Sequence, residues 1–385
     1  MGKVRFGIVG CGNMGTGHAK NFIDGKFEDG VITALCDLNP KKMEYFKDKL
    51  EGVTYFTDAE EMFKSGLCDV VMICTPHYQH PELAIKALDN DLNCIVEKPA
   101  GVYTLQVKEM LARAEKSDKI LGIMFNQRTN PAFKKMKAMI AEGAIGEIKR
   151  TNWIITDWYR SQYYYDTGAW RATWVGEGGG VLYNQAPHQL DLFQWIVGMS
   201  PSKVRAFCHF GKWHDIEVED DVTCYCEYPN GATGVFITCT ADAPGTNRFE
   251  VTGTKGTLIF ENNKLYYKQL EVDEREHCMT VQKGFEMPKV LPTVEVELEG
   301  ENLQHVGIVR NIIAAVQGKE PVYAPARDGL NGVMLANAMH LSSWLGKEVS
   351  LPIDDELFYE ELKKRIAISK PRETANNDTV ETQGN

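Results

Sequence analysis

Long apolar runs are missing from this chain. The nearest, Val70-Val71-Met72-Ile73-Cys74, falls far short of the roughly 18 residues that a membrane helix needs, so no membrane partner is expected. Clustered basic charge is missing too. Lys and Arg total 42 against 53 Asp and Glu, a net charge of −11, and the cations are scattered rather than gathered into a stripe, which argues against nucleic acid. Paired metal-binding cysteines are absent: ten cysteines lie singly, and Cys224-x-Cys226 has no second Cys or His pair beside it. Reduced, buried thiols and no metal are the expectation. There is no internal repeat, and Met1 to Phe6 enters an alternating strand pattern at once, leaving no room for a signal peptide's apolar region and predicting a cytoplasmic protein.

What remains is ordinary globular composition, 43% apolar and 25% charged over 385 residues, enough for two or three domains at about 150 residues each. Residues 1–125 alternate strands (4–9, 31–36, 69–74, 94–96, 120–125) with helical stretches. That pattern predicts a doubly wound parallel sheet of the dinucleotide-binding type. After a helix over 132–142, strands follow without intervening helices at 147–158, 203–210, 218–228, 231–240, 247–253 and 257–268. They predict an α+β domain over 126–368 with a large, mainly antiparallel sheet. A helix over 181–197 interrupts the run. Helices at 303–316 and 330–345 are expected to cover one face of this second sheet, and 369–385, nearly free of apolar residues, reads as a disordered tail.

Gly10-Cys11-Gly12-Asn13-Met14-Gly15 follows the first strand and opens a helix, and Asp37 ends the second strand 22 residues beyond Gly15. Gly10 permits a tight turn, Gly12 lets the backbone approach a diphosphate, and Gly15 allows helix and strand to pack closely. The helix N-terminus then offers amide donors. Asp37 would accept hydrogen bonds from ribose hydroxyls and repel a 2′-phosphate, which favours NAD over NADP, unless Lys41 or Lys42 swings to the phosphate. Glu97-Lys98-Pro99 ends the fifth strand, at the carboxyl edge where such sheets bind ligands. A lysine there either forms a surface ion pair with Glu97 or, desolvated, becomes a base for a hydroxyl proton. Gly178-Gly179-Gly180 precedes Asn184, His188 and Asp191, which share one face at i, i+4, i+7 if the helix begins at 181. His188 and Asp191 lack the third ligand that a metal would need.

Together these residues, with Thr75-Pro76-x-x-x-His80, Arg128 and Trp170-Arg171, resemble the glucose-fructose oxidoreductase, inositol dehydrogenase and rhizopine-catabolism (Gfo/Idh/MocA) family across residues 3 to about 350. The resemblance implies an NAD-dependent oxidoreductase with Lys98 as catalytic acid or base and His188 beside it. It further implies cofactor contacts from Gly10, Gly12, Asn13, Met14, Asp37, Thr75, Pro76, His77, His80, Glu97, Lys98 and Asn126. Where the family carries an aspartate, this chain has Asn184, which exchanges no proton. Without that negative charge Lys98 would be neutral at lower pH, and the amide would orient a hydroxyl. A similar asparagine is familiar in members that oxidise the 3-hydroxyl of a substituted pyranose.

Residues 153–183 hold four of seven tryptophans and five of fifteen tyrosines. Aromatic faces stack on sugar rings and arginines bind hydroxyls or carboxylates, so Tyr159, Arg160, Trp170 and Arg171, with Lys98, Arg128, Asn184 and His188, are the substrate-binding candidates for a carbohydrate or glycoside. The same composition also suits an interface, and a homo-oligomer through the C-terminal sheet is expected. Alternatives are an aldose or inositol dehydrogenase, a redox-neutral NAD-dependent glycoside hydrolase or lyase, and a non-catalytic NAD-binding regulator.

Overall fold

Strand and helix alternate through the first third of the chain because each apolar run is short, buried on both faces and closed by a turn. In the computed structural model, which describes residues 2–370, these runs form β1 (Val4–Val9), α1 (Asn13–Ile23), β2 (Gly30–Cys36), α2 (Lys41–Lys47), β3 (Thr54–Phe56) and α3 (Ala59–Lys64). They continue as β4 (Val70–Ile73), α4 (Gln79–Asp89), β5 (Asn93–Val96), α5 (Thr104–Ala114) and β6 (Leu121–Ile123). The six strands are parallel in the order β3-β2-β1-β4-β5-β6, a Rossmann sheet whose crossovers put helices on both faces. β3 is a strand that three half-exposed or exposed residues did not advertise.

A helix α6 (Pro131–Ala141), started by Pro131 and capped by Asn130, leads into β7 (Ile148–Ile155). Two short helices, α7 (Gln162–Asp166) and α8 (Pro187–Trp195), precede β8 (Lys203–Phe210), β9 (Glu219–Glu227), β10 (Thr233–Cys239), β11 (Asn247–Gly253), β12 (Gly256–Glu261) and β13 (Lys264–Gln269). The chain ends with α9 (Glu274–Thr280), β14 (Val294–Glu295), α10 (Gln304–Val316), α11 (Ala326–Leu345), β15 (Val349–Ser350) and α12 (Asp355–Ile366). The second sheet runs β14-β13-β12-β11-β7-β10-β9-β8-β15 and is antiparallel except where β10 lies parallel to β7. Fold class is therefore as the sequence indicated.

Four sequence expectations are corrected. The strand over 257–268 is a hairpin, because Asn262 and Asn263 both take positive φ (52° and 58°), a two-residue turn that asparagine tolerates and that matches strand twist. The helix over 181–197 begins only at Pro187. Before it, the Glu219 carboxylate takes the amides of Gly180 and Leu182, and its carbonyl takes that of Val181, so residues 180–186 form turns. Helix α10 does not cover the second sheet. Ile308, Val309, Ile312 and Ile313 join the first core, and Ile312 fills the space beside Gly122, where a Cβ would lie 3.0 Å from its Cδ1. Of these two late helices, α11 is the one that packs on the second sheet, through Ser342 and Ser343 hydroxyls that bond the amides of Ala206 and Cys208. Finally, Ser369 and Lys370 are anchored to Glu217, while the rest of the expected tail, 371–385, lies outside the described residues.

Candidate active site

The glycine loop after β1 shows why its spacing matters. Gly10 has φ +91°, and a Cβ on it would sit 2.7 Å from the Cys74 carbonyl oxygen, while one on Gly15 would lie 1.9 Å from the oxygen of Gly10. Gly12 is different: a Cβ there would meet nothing within 4 Å. The loop is thus tight against the sheet on one side and open on the other, at the start of α1, where Asn13 and Met14 carry the first turn of helix. That cradle fits a dinucleotide diphosphate. Asp37, nearly buried, accepts from the amides of Cys11 and Asn39, both at 2.8 Å, with the Lys42 ammonium 4.0 Å away. Beside them Thr75 and Pro76 follow β4, and the Thr75 hydroxyl is buried without a partner among the described residues.

Several of the expected cofactor residues also hold the scaffold together. His80 bridges the carbonyls of Thr75 (2.7 Å) and Pro99 (2.8 Å), tying two loops together. Asn126 donates to Gln304 of α10. Glu97 makes no surface ion pair with Lys98: its side chain is buried and bonds His18 Nε2 at 2.6 Å. Burial alone would push this carboxyl up, but the bond to His18 and the nearby His305 and Lys98 hold it down to about 2. Cys74 completes a buried group with His18 and Glu97, with one ligand-type atom of each within 4.8 Å of the others.

Lys98 leaves β5 and reaches the turn before α8, where its Nζ donates to the main-chain oxygen of Asn184 at 2.9 Å. Burial pulls its ammonium below the usual lysine range, assisted by Arg171 and Arg160 and opposed by Glu97 and Glu177. His188, on the first turn of α8, is held well below its ordinary value by burial and by the Lys98 charge, and its Nδ1 has no partner among the described residues. An uncharged imidazole therefore stands within reach of the charge of a lysine whose ammonium form burial disfavours.

The opposite wall is built by side chains from residues 160–185. Arg171 Nη1 donates to the Tyr164 hydroxyl at 2.6 Å, and that hydroxyl donates to Asn184 Oδ1 at 3.1 Å. Asn184 Nδ2 in turn donates to Glu177 Oε1, and Glu177 Oε2 accepts from the Ala172 amide at 2.6 Å. Arg160 and Arg171 flank the Tyr164 ring, 5.2 and 4.6 Å from its centroid, and neither has an ion-pair partner among the described residues. Trp170 meets His77 edge-on at 5.5 Å, and burial holds His77 well below its ordinary value.

Two substrate candidates are not brought to this wall. Tyr159 is exposed, and its carbonyl accepts from Arg160. Arg128 is buried, its Nε and Nη2 on Asp191 and its Nη1 on Asp328, and it borders a separate hollow beside Trp195. Asp191 thus faces Arg128 rather than sharing a metal with His188. The sequence reading missed Tyr164, Glu177, His18 and His305. Tyr164 lay within the aromatic cluster, but nothing singled it out from its neighbours, of which Tyr163 is exposed and Tyr165 is bonded to Thr240.

Both domains are similar to known proteins. The model described as an oxidoreductase family with an NAD-binding Rossmann fold (GFO_IDH_MocA) matches residues 4–125, and the GFO/IDH/MocA C-terminal domain model matches 133–259. Myo-inositol 2-dehydrogenase of Thermotoga maritima is 25% identical over 342 residues, covering 87% of this chain and 95% of the relative. The NAD-dependent scyllo-inositol 2-dehydrogenase of Bacillus subtilis is 27% identical, covering 67% and 73%. Among solved structures, the WlbA dehydrogenase of Chromobacterium violaceum in complex with NADH and UDP-GlcNAcA is 26% identical with a TM-score of 0.78, covering 91% of this chain and 97% of that one.

Proposed function

The chain belongs to the Gfo/Idh/MocA family of NAD-binding oxidoreductases, and from that premise we propose that it oxidises a secondary ring hydroxyl of a sugar, by preference C3 of a pyranoside substituted at its anomeric position. The observation that carries this reading is the meeting of Lys98, the Asn184 turn and uncharged His188 at the carboxyl edge of the Rossmann sheet, facing the Trp170, Tyr164 and Arg171 wall. NAD, when bound, supplies the acceptor for the hydride that leaves the ring carbon. Lys98, once neutral, takes the hydroxyl proton. One N–H of the Asn184 amide is engaged by Glu177, and the other is left to hold the substrate oxygen. Trp170 offers a flat apolar face to the ring, and the two arginines offer donors to its hydroxyl or carboxyl groups.

The test is incubation with NAD and a panel of free sugars, inositols and glycosides, following NADH formation, product mass and the oxidised carbon by NMR. A glycoside that loses two hydrogen atoms at C3 is the expected product. The inositol dehydrogenases among its relatives favour a second reading, an inositol or aldose dehydrogenase, which an inosose or a lactone as main product would support. Product release without net NADH would point to a redox-neutral hydrolase or lyase.

The open face of the second sheet supports self-association. Phe207, Thr223, Ile237 and Ile154 form one cross-strand row, with exposed Tyr225 in the next. A homo-oligomer through this face is the proposal. Ile154→Arg with Phe207→Glu should lower the mass seen by light scattering to that of a single chain, and an unchanged mass rejects the face.

A further inference from the structure

Arg171 at one end of the substrate wall carries a fixed charge, and the Glu177 carboxyl at the other offers both oxygens as acceptors, which sets the direction of the bonds between them. A guanidinium can only donate and an ionised carboxylate can only accept. From Arg171 the donors run to the Tyr164 hydroxyl, then to Asn184 Oδ1, then from Asn184 Nδ2 to Glu177. Gln185 Nε2 reinforces the order, donating at 3.2 Å to both the Tyr164 hydroxyl and Asn184 Oδ1. Burial raises the Glu177 carboxyl above its ordinary value, while Arg171 and the bonds its two oxygens accept from Asn184 and the Ala172 amide favour the ionised form. An aspartate at position 184 would set carboxylate against carboxylate here.

We propose that Glu177 is the positioning residue of the proton-transfer centre: it fixes the Asn184 amide in one orientation and supplies Lys98 with the negative charge that residue 184 itself lacks. This rests on the reading of Lys98 as the proton-transfer group. On this proposal the charge that asparagine removes is replaced from a carboxylate set back by one hydrogen bond.

Two carboxylates act on Lys98, Glu97 the more strongly and Glu177 next. Glu97, the other carboxylate felt by Lys98, is engaged by His18. Glu219, which faces Glu177 from β9, is held by the amides of Gly180 and Leu182 and lies 2.9 Å from His340. Arg160 and Arg171 act on Lys98 in the opposite sense, and burial keeps His77 and His188 uncharged. The Tyr164 phenol is likewise held in its neutral form by burial.

The test moves the charge without changing its amount. In the full-length protein, Lys98 deprotonation is read directly by competitive acetylation across pH, with mass spectrometry of the Lys98 peptide, and the same variants are assayed for the pH profile of kcat/KM. Glu177→Gln should lower the Lys98 midpoint by roughly half a unit to one unit, because a stabilising anion is lost. The double variant Glu177→Gln with Asn184→Asp returns the carboxylate to the neighbouring position, where the amide introduced at position 177 can donate to it, and should bring the midpoint back to that of the unmodified protein. An unshifted Glu177→Gln midpoint, or a double variant no closer to the parent than the single one, overturns the proposal. If Glu177→Gln alone does not fold, a folded double variant with the parental midpoint supports it, and loss of fold in both rejects it. If the acetylation midpoints behave as stated while no sugar is oxidised, the substrate reading fails and the role of Glu177 stands.

Discussion

The two walls of the Lys98 cleft are built from different materials. On the side of the glycine loop the groups on offer are mostly main chain, the open edge of Gly12 and the amides of α1, with one side chain, an Asp37 carboxylate itself held by the amides of Cys11 and Asn39. On the substrate side they come from side chains, an oriented series from Arg171 through Tyr164 and Asn184 to Glu177. Main chain is the same whatever the residue, so the first wall suits a ligand that never changes. Side chains can be exchanged singly, so the second wall is where specificity and proton affinity are set.

The sharpest way to break that division is at Lys98, which leaves the first wall and bonds the second. Lys98→Met should keep NAD affinity near the parental value, since among the described residues the ammonium hydrogen-bonds the Asn184 turn, yet lower kcat by a factor on the order of a hundred or more. His188→Ala should act in the same direction. Stopped-flow turnover alongside a direct NAD titration separates the two quantities, and a joint loss of both would mean that the walls are not independent.

The same contrast governs how much could be read from the sequence. Gly10, Gly12, Gly15 and Asp37 are close in the chain and fixed in spacing, so their wall was legible, and Lys98 was marked by the end of its strand. Glu177 and Tyr164 were not, because their meaning comes from bonds to residue 184 made across irregular loops that no periodicity describes. Asn184 and His188 were placed on one helix by spacing, but Glu219, from a distant strand, unwinds the first half of it. Helix α10 shows the limit for the fold: its apolar face was plain, but which sheet it would cover depended on a gap at Gly122. Arg128 was misplaced for the same reason, since Asp191 and Asp328 converge on it only in three dimensions.

Glu97 is the side chain behind the first wall whose removal should be felt most by the fold. Its carboxyl lies at about 2 in the folded protein against an ordinary 4.5, so it stabilises the protein above about pH 4.5 and loses that contribution as the pH falls toward 2. At about 1.4 kcal/mol per unit the contribution is on the order of 3 kcal/mol. Glu97→Gln should therefore lower Tm at pH 7, with the gap from the parent closing as the pH approaches 3. Thermal scans at several pH values check it, and a gap independent of pH would mean that His18 is held by shape rather than by charge.

The smallest effect, and the finest test of the comparison, concerns Asp37, the one side chain on the cofactor wall to which selectivity is assigned. Its two oxygens take the amides of Cys11 and Asn39, so the carboxylate is fixed where the adenosine ribose of a Rossmann ligand would lie. Ribose hydroxyls can donate to it, whereas a 2′-phosphate would meet an unneutralised charge. Lys42, 4.0 Å from one oxygen, is the group that could soften that repulsion. NAD should bind more than tenfold tighter than NADP, a difference of about 1.4 kcal/mol, in fluorescence titrations at fixed salt. Asp37→Ala should bring the two affinities within a few-fold, mainly by improving NADP, because the carboxylate that repels the 2′-phosphate is gone while Lys42 and the main-chain donors remain. Should the parent bind both cofactors equally, and Lys42→Ala then restore the preference for NAD, selectivity would belong to the lysine and the cofactor wall would owe as much to a mobile side chain as the substrate wall does.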